Sequence, residues 1–288
     1  MITPRTAGRT IGLGRRRAQG LARLLVWGAA LATLAVLFLI IAHILVEGLP
    51  YVTLEFLFGS PRRLGREGGI LPTIVGTIAL TIVAVLIATP LGVGTAIFLT
   101  EYTREGRLTR FIRFGTESLA GVPSIIFGLF GFVFFVITLG LGWSILSGAL
   151  TLAAMILPTI IRTSEEAIRS VPRVYRDVSF SLGATRWQTV TRAVLPSALP
   201  GIATGVILGV GRSVGETAAV ILTAGSALPL PTSIFSPTRT MAVHFYILAR
   251  EGISLEMAYA TGAVLILAVL AINVLANEAL RRMAARSR

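Results

Sequence analysis

Two charged residues, Arg212 and Glu216, stand four positions apart in an otherwise apolar stretch of the chain. If that stretch is one helix, both side chains lie on the same face and can form an ion pair. Charges inside an apolar helix are costly unless they face a protein interior or an aqueous path. The pair therefore predicts either a contact that only fixes helix packing, or a site where Arg212 binds an anion transiently while Glu216 tempers its charge.

The same stretch contains Gly211-Arg212-Ser213-Val214-Gly215, which matches the G-x-S-x-G pattern of serine hydrolases. That pattern needs a turn from a strand into a helix, whereas this one lies inside a predicted transmembrane helix. An intramembrane hydrolase that pairs Ser213 with His244 is the less favoured alternative. Glycines 201, 205 and 209 recur at intervals of four and predict close packing against a neighbouring helix.

The composition predicts an integral membrane protein. Hydrophobic residues make up 54% of the chain and charged residues 14%, with a mean hydropathy of +0.83. Cysteine is absent, which excludes disulfides and thiolate metal sites, and the two histidines are too few to suggest a metal site. All 26 basic residues are arginine, so the lysine of a P-loop is absent and any ATP must be bound by a partner. We therefore expect no cofactor in this chain and no enzymatic activity.

Uncharged runs of about 20 residues or more predict an all-α polytopic fold with six transmembrane helices. They are found at 24–46, 70–99, 118–161 (long enough for two helices), about 197–223, and 257–277. Pro90 and Gly92 predict a kink or an end in the second span, and Gly140, Gly142 and Trp143 predict the turn between spans three and four. The expected organisation is an arginine-rich tail over 1–23, a first helix over 24–46, and a transmembrane domain over 70–280 that contains a loop at 163–196.

Arginine placement predicts the orientation, because basic residues near span ends stay on the cytoplasmic side. Twenty arginines lie in the N-terminal tail, the 100–117 and 162–196 loops and the C-terminus, against five in the loops between them. Both termini are thus predicted to be cytoplasmic, in a multi-pass protein of the cytoplasmic (inner) membrane. The charge serves topology and contact with membrane lipid, so nucleic acid is not an expected partner. The first apolar run is too long for the core of a signal peptide, so we expect it to stay as an uncleaved span.

The loop between spans four and five predicts a protein-docking surface. Ser164 is expected to open a first short helix and Pro172 to end it; a second helix is expected over 174–182, followed by a change of direction at Gly183. This arrangement would present Phe180, Leu182 and Trp187, with Arg176, Asp177 and Arg186 around them. Aromatic anchors with arginine at the rim are typical of protein interfaces. The alternative is a basic loop that lies on anionic lipid.

Residues 177–196 also resemble the loop pattern of membrane subunits of ATP-binding-cassette (ABC) importers: EAA, three residues, Gly, nine residues, Ile, one residue, Leu-Pro. Gly183, Leu195 and Pro196 match this pattern, and Asp177 replaces the Glu, while Val178, Ser179 and Ala193 depart from it. The Leu182-Gly183-Ala184-Thr185-Arg186-Trp187 block strengthens the resemblance. The resemblance implies that the loop, with Ala184 at its turn, is a coupling helix that docks on an ATPase subunit.

More narrowly, the chain resembles the phosphate-specific transport permeases, type I ABC importers, and most closely their PstA-type subunit. The likeness rests on Ala120-Gly121-Val122-Pro123-Ser124, Ser170-Val171-Pro172 and Gly211-Arg212-Ser213-Val214-Gly215-Glu216-Thr217. It implies a heterodimer with a PstC-like permease, a PstB-like ATPase dimer and an external PstS-like phosphate-binding protein. It also implies that Arg162, Arg212 and Glu216 line the phosphate path, although Arg162 at a span end can equally snorkel. An importer for sulfate, molybdate or another solute, and a secondary transporter, remain open alternatives.

Overall fold

A computed structural model describes residues 13–286, with side chains described over 19–282. The described part of the chain is helical nearly throughout, which confirms the all-α prediction. Its one sheet is a two-stranded antiparallel hairpin in which Pro61 pairs with Gly68 and Arg62 with Glu67. The helices are α1 Leu13–Gly48, α2 Leu54–Phe58, α3 Leu71–Ile97, α4 Arg107–Ala120, α5 Ser124–Gly131, α6 Ile145–Ser170, α7 Arg173–Ser181, α8 Arg186–Thr189, α9 Leu195–Val214, α10 Ala218–Thr223, α11 Met241–Arg250 and α12 Leu255–Arg286.

Five helical stretches within the described residues are long and apolar enough to cross a membrane. They are Gln19–Tyr51, Leu71–Tyr102, Ile145–Ser170, Arg186–Val214 and Leu255–Arg282. A sixth span exists only if the bent pair of α4 and the α5 stretch is counted as one. The predicted arginine-rich tail falls partly outside the described residues, and helix α1 already begins at Leu13 within it.

Span two does not end at Pro90. Helix α3 continues through Pro90 to Ile97 and then passes into a π-helical segment, Phe98–Tyr102. Membrane helices tolerate an internal proline where neighbouring structure compensates for the lost hydrogen bond. Helix α6 packs against this region: a Cβ at Gly92 would lie 2.7 Å from the Ile160 Cγ2 atom. Gly92 therefore serves helix packing and not a helix end.

Span three is shorter than the apolar run suggested, and it follows a sharp bend. Helix α4 and the Ser124–Thr138 stretch meet at 103°. The bend falls at Gly121-Val122-Pro123, where Pro123 has an extended ψ of 141° and thus interrupts the helix. The turn that follows is as predicted, because Gly140 and Gly142 adopt φ values of +67° and +64°. In this left-handed region glycine avoids the steric cost of a Cβ.

Spans four and five extend beyond the bilayer-length runs of the sequence. Ser164, predicted to open a new helix, lies buried inside α6, which ends only at Ser170, before Pro172. Span five begins at Arg186 instead of residue 197, because α8, a π-helical segment Val190–Val194 and α9 form one continuous stretch. The loop between the two spans is therefore reduced to α7 and its two connections.

The largest buried apolar cluster lies between α3, α6 and α10. Its buried side chains include Leu80 and Ala84 from α3, Leu152 and Ile156 from α6, and Val220 from α10. Small residues on α3 allow the long α6 to approach closely, as glycines and alanines commonly do between membrane helices. This cluster fixes α6, and α6 in turn positions α9 and the charged residues of both helices.

Candidate functional site

Arg212 and Glu216 are not on one helix, so the predicted pairing is wrong. Helix α9 ends at Val214, two residues after Arg212, and Glu216 lies in the break before α10. The Glu216 Oε1 atom accepts a hydrogen bond from the Ala219 N–H at 3.2 Å. The first N–H groups of a helix lack backbone partners and favour a negative charge, so this carboxylate stabilises the start of α10.

Glycine contacts fix the depth of Arg212 along α6. A Cβ at Gly201 would lie 2.5 Å from the Ala167 Cβ atom, and a Cβ at Gly205 would overlap the Thr163 side chain. The two helices are therefore antiparallel with Gly205 level with Thr163, which places Arg212 about level with Ile156. Arg162 lies six residues from Ile156 on α6, so the two arginines differ in depth by ~9 Å at ~1.5 Å per residue. The prediction that the glycine stripe is a packing surface is confirmed.

Arg212 is exposed on the surface of this single chain. Within residues 19–282, whose side chains the structure describes, no carboxylate lies within ion-pair distance of it. A guanidinium at this depth of a membrane span is costly against lipid, so it must face water, another subunit or an anion. The loss of its expected partner Glu216 makes Arg212 a stronger candidate for contact with an anion.

Arg162 lies near the arginine-rich end of α6 and borders a cavity of about 370 Å³ between α4 and α6. Its Nε donates to the Glu166 Oε1 atom at 3.3 Å, and both side chains are about two-thirds exposed. An exposed pair of this kind contributes little to stability. The cavity is lined by arginines 113, 162 and 169 and by glutamates 117, 165 and 166. Arg162 therefore lies in a polar, mixed-charge vestibule.

Glu165 is the centre of a charge cluster that sequence reasoning missed. Its Oε1 atom lies 2.8 Å from Nη2 of Arg113 on α4 and 2.8 Å from Nη2 of Arg169 on α6. Glu105 reaches the same two arginines at 3.2 and 3.6 Å. The four-residue spacing of Glu165 and Arg169 was a readable signal. Arg113 is 52 positions away in sequence, so its part required the fold.

Helix α7 and the turn after it present an apolar surface. Leu182 is 83% exposed and Trp187 64% exposed, and Phe180 is also exposed. Val174, Tyr175 and Val178 lie with Leu182 along one side of α7, and Phe180 lies on the side that carries Asp177. Arg186 is exposed at the start of α8. Apolar patches of this kind on a charged face are typical of protein contacts.

The turn between α7 and α8 has the geometry that the sequence predicted. Gly183 adopts φ +80°, and Ala184 after it is half-buried. Thr185 then caps α8: its hydroxyl accepts from the Gln188 N–H at 3.3 Å, while the Gln188 side chain accepts from the Thr185 N–H at 2.8 Å. Leu195 and Pro196 lie farther on, in the continuous helix of span five, where Leu195 packs against the cluster around Ala96 and Ile168.

We had expected Arg176 at the rim of the apolar surface, but its side chain points inward. Its Nη2 donates to the Glu101 Oε1 atom at 2.6 Å and to the Ile168 carbonyl at 3.0 Å, and its Nη1 donates to the Val171 carbonyl at 2.9 Å. The side chains of Arg176 and Glu101 are only 17% and 10% exposed. One guanidinium thus joins α7 to the end of α3 and to the last carbonyls of α6.

At the opposite end of the bundle, a buried arginine lies beside a buried histidine. Arg239 Nε donates to the Ser226 carbonyl at 2.9 Å, and its Nη1 donates to His244 Nδ1 at 3.3 Å. Burial, with the nearby Arg239 charge, lowers the pKa of His244 to about 4. His244 is therefore neutral near pH 7 and serves as an acceptor. It also touches Gly65 of the first long loop, so the loops around 47–69 and 225–256 meet at this end.

The geometry gives no support to a serine hydrolase. The Ser213 hydroxyl is buried without a hydrogen-bond partner among the described residues, and His244 Nδ1 is occupied by Arg239. Ser213 also precedes the end of a helix instead of following a strand.

Comparison with known proteins places the chain in one family. Residues 88–288 match the family "Binding-protein-dependent transport system inner membrane component". The chain is 35% identical to the probable ABC transporter permease protein YqgI of Bacillus subtilis, over 84% of this chain and 88% of that protein. It is 32% identical to the phosphate transport system permease protein PstA of Pasteurella multocida, over 83% of this chain and 85% of that one.

Solved structures show the same fold. A chain in the crystal structure of a bacterial alginate ABC transporter, in complex with an alginate pentasaccharide-bound periplasmic protein, superposes with a TM-score of 0.67 at 18% identity. The match covers 92% of this chain and 97% of that one. The family is one of transport permeases and not of enzymes, which agrees with the absence of a Ser213–His244 pair in the described part of the chain. The chain belongs to the binding-protein-dependent transport system inner membrane components and is the integral membrane permease subunit of an ABC importer.

Proposed function

We propose that this permease is the PstA-type subunit of an inorganic phosphate importer. Its relatives support the proposal, because the Pasteurella protein of that name covers most of the chain. The observation that carries it is Arg212, a cation exposed within a membrane span, ~9 Å deeper than Arg162 and without a carboxylate partner among the described residues. Arg212 and Arg162 offer an anion two successive binding positions at different depths. The Glu165 and Glu166 carboxylates near Arg162 lower the affinity of that second position, so that the anion can leave it.

The arginine-rich end, with α7, is the cytoplasmic end in this proposal, and both termini lie on that side. The support is the imbalance of twenty arginines against five. A PstC-like permease would cover the Arg212 face and complete the path. An external PstS-like protein would deliver phosphate to the end formed by the hairpin and α11.

The ATPase dimer, PstB-like in this proposal, docks on the apolar surface of α7. Leu182 and Trp187 would insert as anchors, with Asp177 and Arg186 at the rim. ATP is bound by that partner. Movement of α7 then changes the orientation of spans four and five, to which it is directly connected.

Uptake by the reconstituted complex of both permeases, the ATPase and the binding protein tests the substrate. We expect ATP-dependent phosphate uptake that Arg212→Ala reduces by roughly 10- to 100-fold, since a hydrogen bond to a charged group contributes about 1.5–3 kcal/mol. Arg212→Lys should keep part of the activity. Arg110→Ala is the matched control, because Arg110 is exposed on α4 and does not line the cavity beside Arg162. Wild-type uptake of sulfate or molybdate with phosphate ignored would refute the phosphate assignment.

Co-purification tests the docking surface. Leu182→Asp should abolish capture of the ATPase by the permease, because it places a charge on the most exposed leucine of that surface. Leu64→Asp is the control: Leu64 is 69% exposed at the opposite end, and its φ of +61° is one that aspartate adopts readily. Equal capture by both variants would mean that the ATPase docks elsewhere.

A further inference from the structure

The π-helical end of span two, Phe98–Tyr102, contacts two arginines: Arg176 on α7 and Arg186 at the start of span five. Arg176 on α7 binds Glu101 through both Nε and Nη2, at distances between 2.6 and 3.3 Å. Arg186 at the start of α8 places its Cζ atom 5.8 Å from the centre of the Tyr102 ring. Glu101 and Tyr102 of span two thus contact Arg176 before Gly183 and Arg186 after it.

The ion pair of Arg176 and Glu101 resists separation. The guanidinium of Arg176 is mostly buried and has a carboxylate on one side and two carbonyls of the α6 end on the other. Hydrogen bonds between charged groups are shorter and stronger than neutral ones, and a forked guanidinium also fixes their direction. Separation of Arg176 from Glu101 would leave a carboxylate unpaired in a largely buried position, which is costly.

The covalent connections of α7 run only to spans four and five. It joins α6 through Val171 and Pro172, and it joins α8 through the Gly183 turn. Span two is 75 positions away from Arg176 in the sequence and receives the movement of α7 only through side chains. Segments of π-helix are rare and are often found at functional sites. The end of α3 is therefore suited to attachment of α7 in both position and conformation.

We propose that Arg176 and Arg186, with Glu101 and Tyr102, form a clasp that transmits movement of the ATPase-docked helix α7 to span two. This inference rests on the proposed docking of the ATPase on α7. Arg176 is a positioning residue: it does not touch cargo or ATP, but it makes spans two, four and five respond to α7 as one unit. Arg186 has a second role as a rim residue of the docking surface, so Arg176 and Glu101 are the cleaner test.

The first experiment compares Arg176→Gln and Glu101→Gln with the control Arg110→Gln in the reconstituted transporter. Three quantities are measured: capture of the ATPase, the rate of ATP hydrolysis, and solute imported per ATP hydrolysed. We expect capture to remain and import per ATP to fall about tenfold in both clasp variants, with no change in the control. The exchanged pair, Glu101→Arg with Arg176→Glu, should recover part of the loss. Wild-type import per ATP in Arg176→Gln, or loss of ATPase capture in that variant, would overturn the clasp.

A distance measurement makes the result independent of the cargo. The chain has no cysteine, so Ser181→Cys on α7 and Leu91→Cys on α3 give two unique spin-label positions, both at exposed residues. With the clasp intact, their separation should stay constant when ATP is added to the complex with the ATPase. With Arg176→Gln it should change by several ångströms. A change of equal size with the clasp intact would contradict the inference, whatever solute the transporter carries. If the separation stays constant but phosphate is not taken up, only the phosphate assignment is refuted.

Discussion

Replacement of Gly205 by alanine tests how closely α6 and α9 pack. The new Cβ would overlap the Thr163 hydroxyl and lie 2.8 Å from the Thr163 Cβ atom. The hydroxyl can rotate away, but the Cβ atom is fixed to the backbone of α6, so the helices must separate. Overpacking of this kind costs about 1–3 kcal/mol. Alanine recovers about 1 kcal/mol through its better helix propensity, so we expect a net loss of about 1 kcal/mol.

Gly211→Ala on the same helix is the matched control. Among the described residues, no atom outside the adjacent backbone of α9 lies within 4 Å of the position that its Cβ would take, so only the propensity gain of about 1 kcal/mol applies. The two variants should therefore differ by about 2 kcal/mol in opposite directions. A double variant, Gly205→Ala with Thr163→Ala, removes the overlap with the hydroxyl and should recover part of the loss.

The free energy of unfolding can be followed by the fluorescence of the three tryptophans during titration with sodium dodecyl sulfate in mixed micelles. Gly205→Ala should unfold at lower denaturant than the wild type, and Gly211→Ala at equal or higher denaturant. If Gly205→Ala proves as stable as Gly211→Ala, the register that places Arg212 level with Ile156 is wrong.

Three further predictions concern other parts of the molecule. His244 binds a proton below about pH 6.5 in the unfolded chain but only below about pH 4 in the folded protein. The unfolding free energy should therefore fall by up to about 3 kcal/mol as the pH drops through that window. His244→Asn should lose this dependence in titrations at pH 7 and pH 5. Glu165→Gln should cost about 2 kcal/mol, because Arg113 and Arg169 lose their mostly buried carboxylate and keep only the exposed Glu105. Glu166→Gln, in an exposed pair, should cost less than about 0.5 kcal/mol, and equal effects in the same titration would mean that the Glu165 cluster adds no stability. Gly183→Ala should lower the free energy of unfolding by about 1–2 kcal/mol, because a φ of +80° is unfavourable for alanine. It should also weaken capture of the ATPase. Unchanged stability would show that the turn can relax.

The sequence predicted those features of the fold that depend on the backbone conformation of a single residue. Gly140 and Gly142 mark a turn because of their left-handed conformations, and Gly183 marks the turn after α7 for the same reason. Apolar runs predicted the spans, since the bilayer requires them regardless of tertiary structure. Pro123 was also a local signal, although its bend divides an apolar run that contains no charge to mark the boundary.

The site depended on contacts that no local pattern records. Glu216 lies at helical spacing from Arg212, but it stabilises the start of α10 instead, and the break between the helices was not visible in an apolar, glycine-rich stretch. Arg176 looked like one more surface arginine, because its partner Glu101 is 75 positions earlier. The families of relatives supply the transport role; the fold supplies the depth and exposure of Arg212.

The 103° bend before α5 has a mechanical consequence. If α5 runs along the membrane normal, α4 lies within about 13° of the membrane plane, as an arm of 14 residues or ~21 Å. Its midpoint is tied through Arg113 to Glu165 on α6. A hinge rotation of ~10° at Gly121 to Pro123 would displace the far end by ~4 Å, about the diameter of one methyl group. Such a rotation would change the width of the cavity between α4 and α6 that Arg113 and Arg162 line.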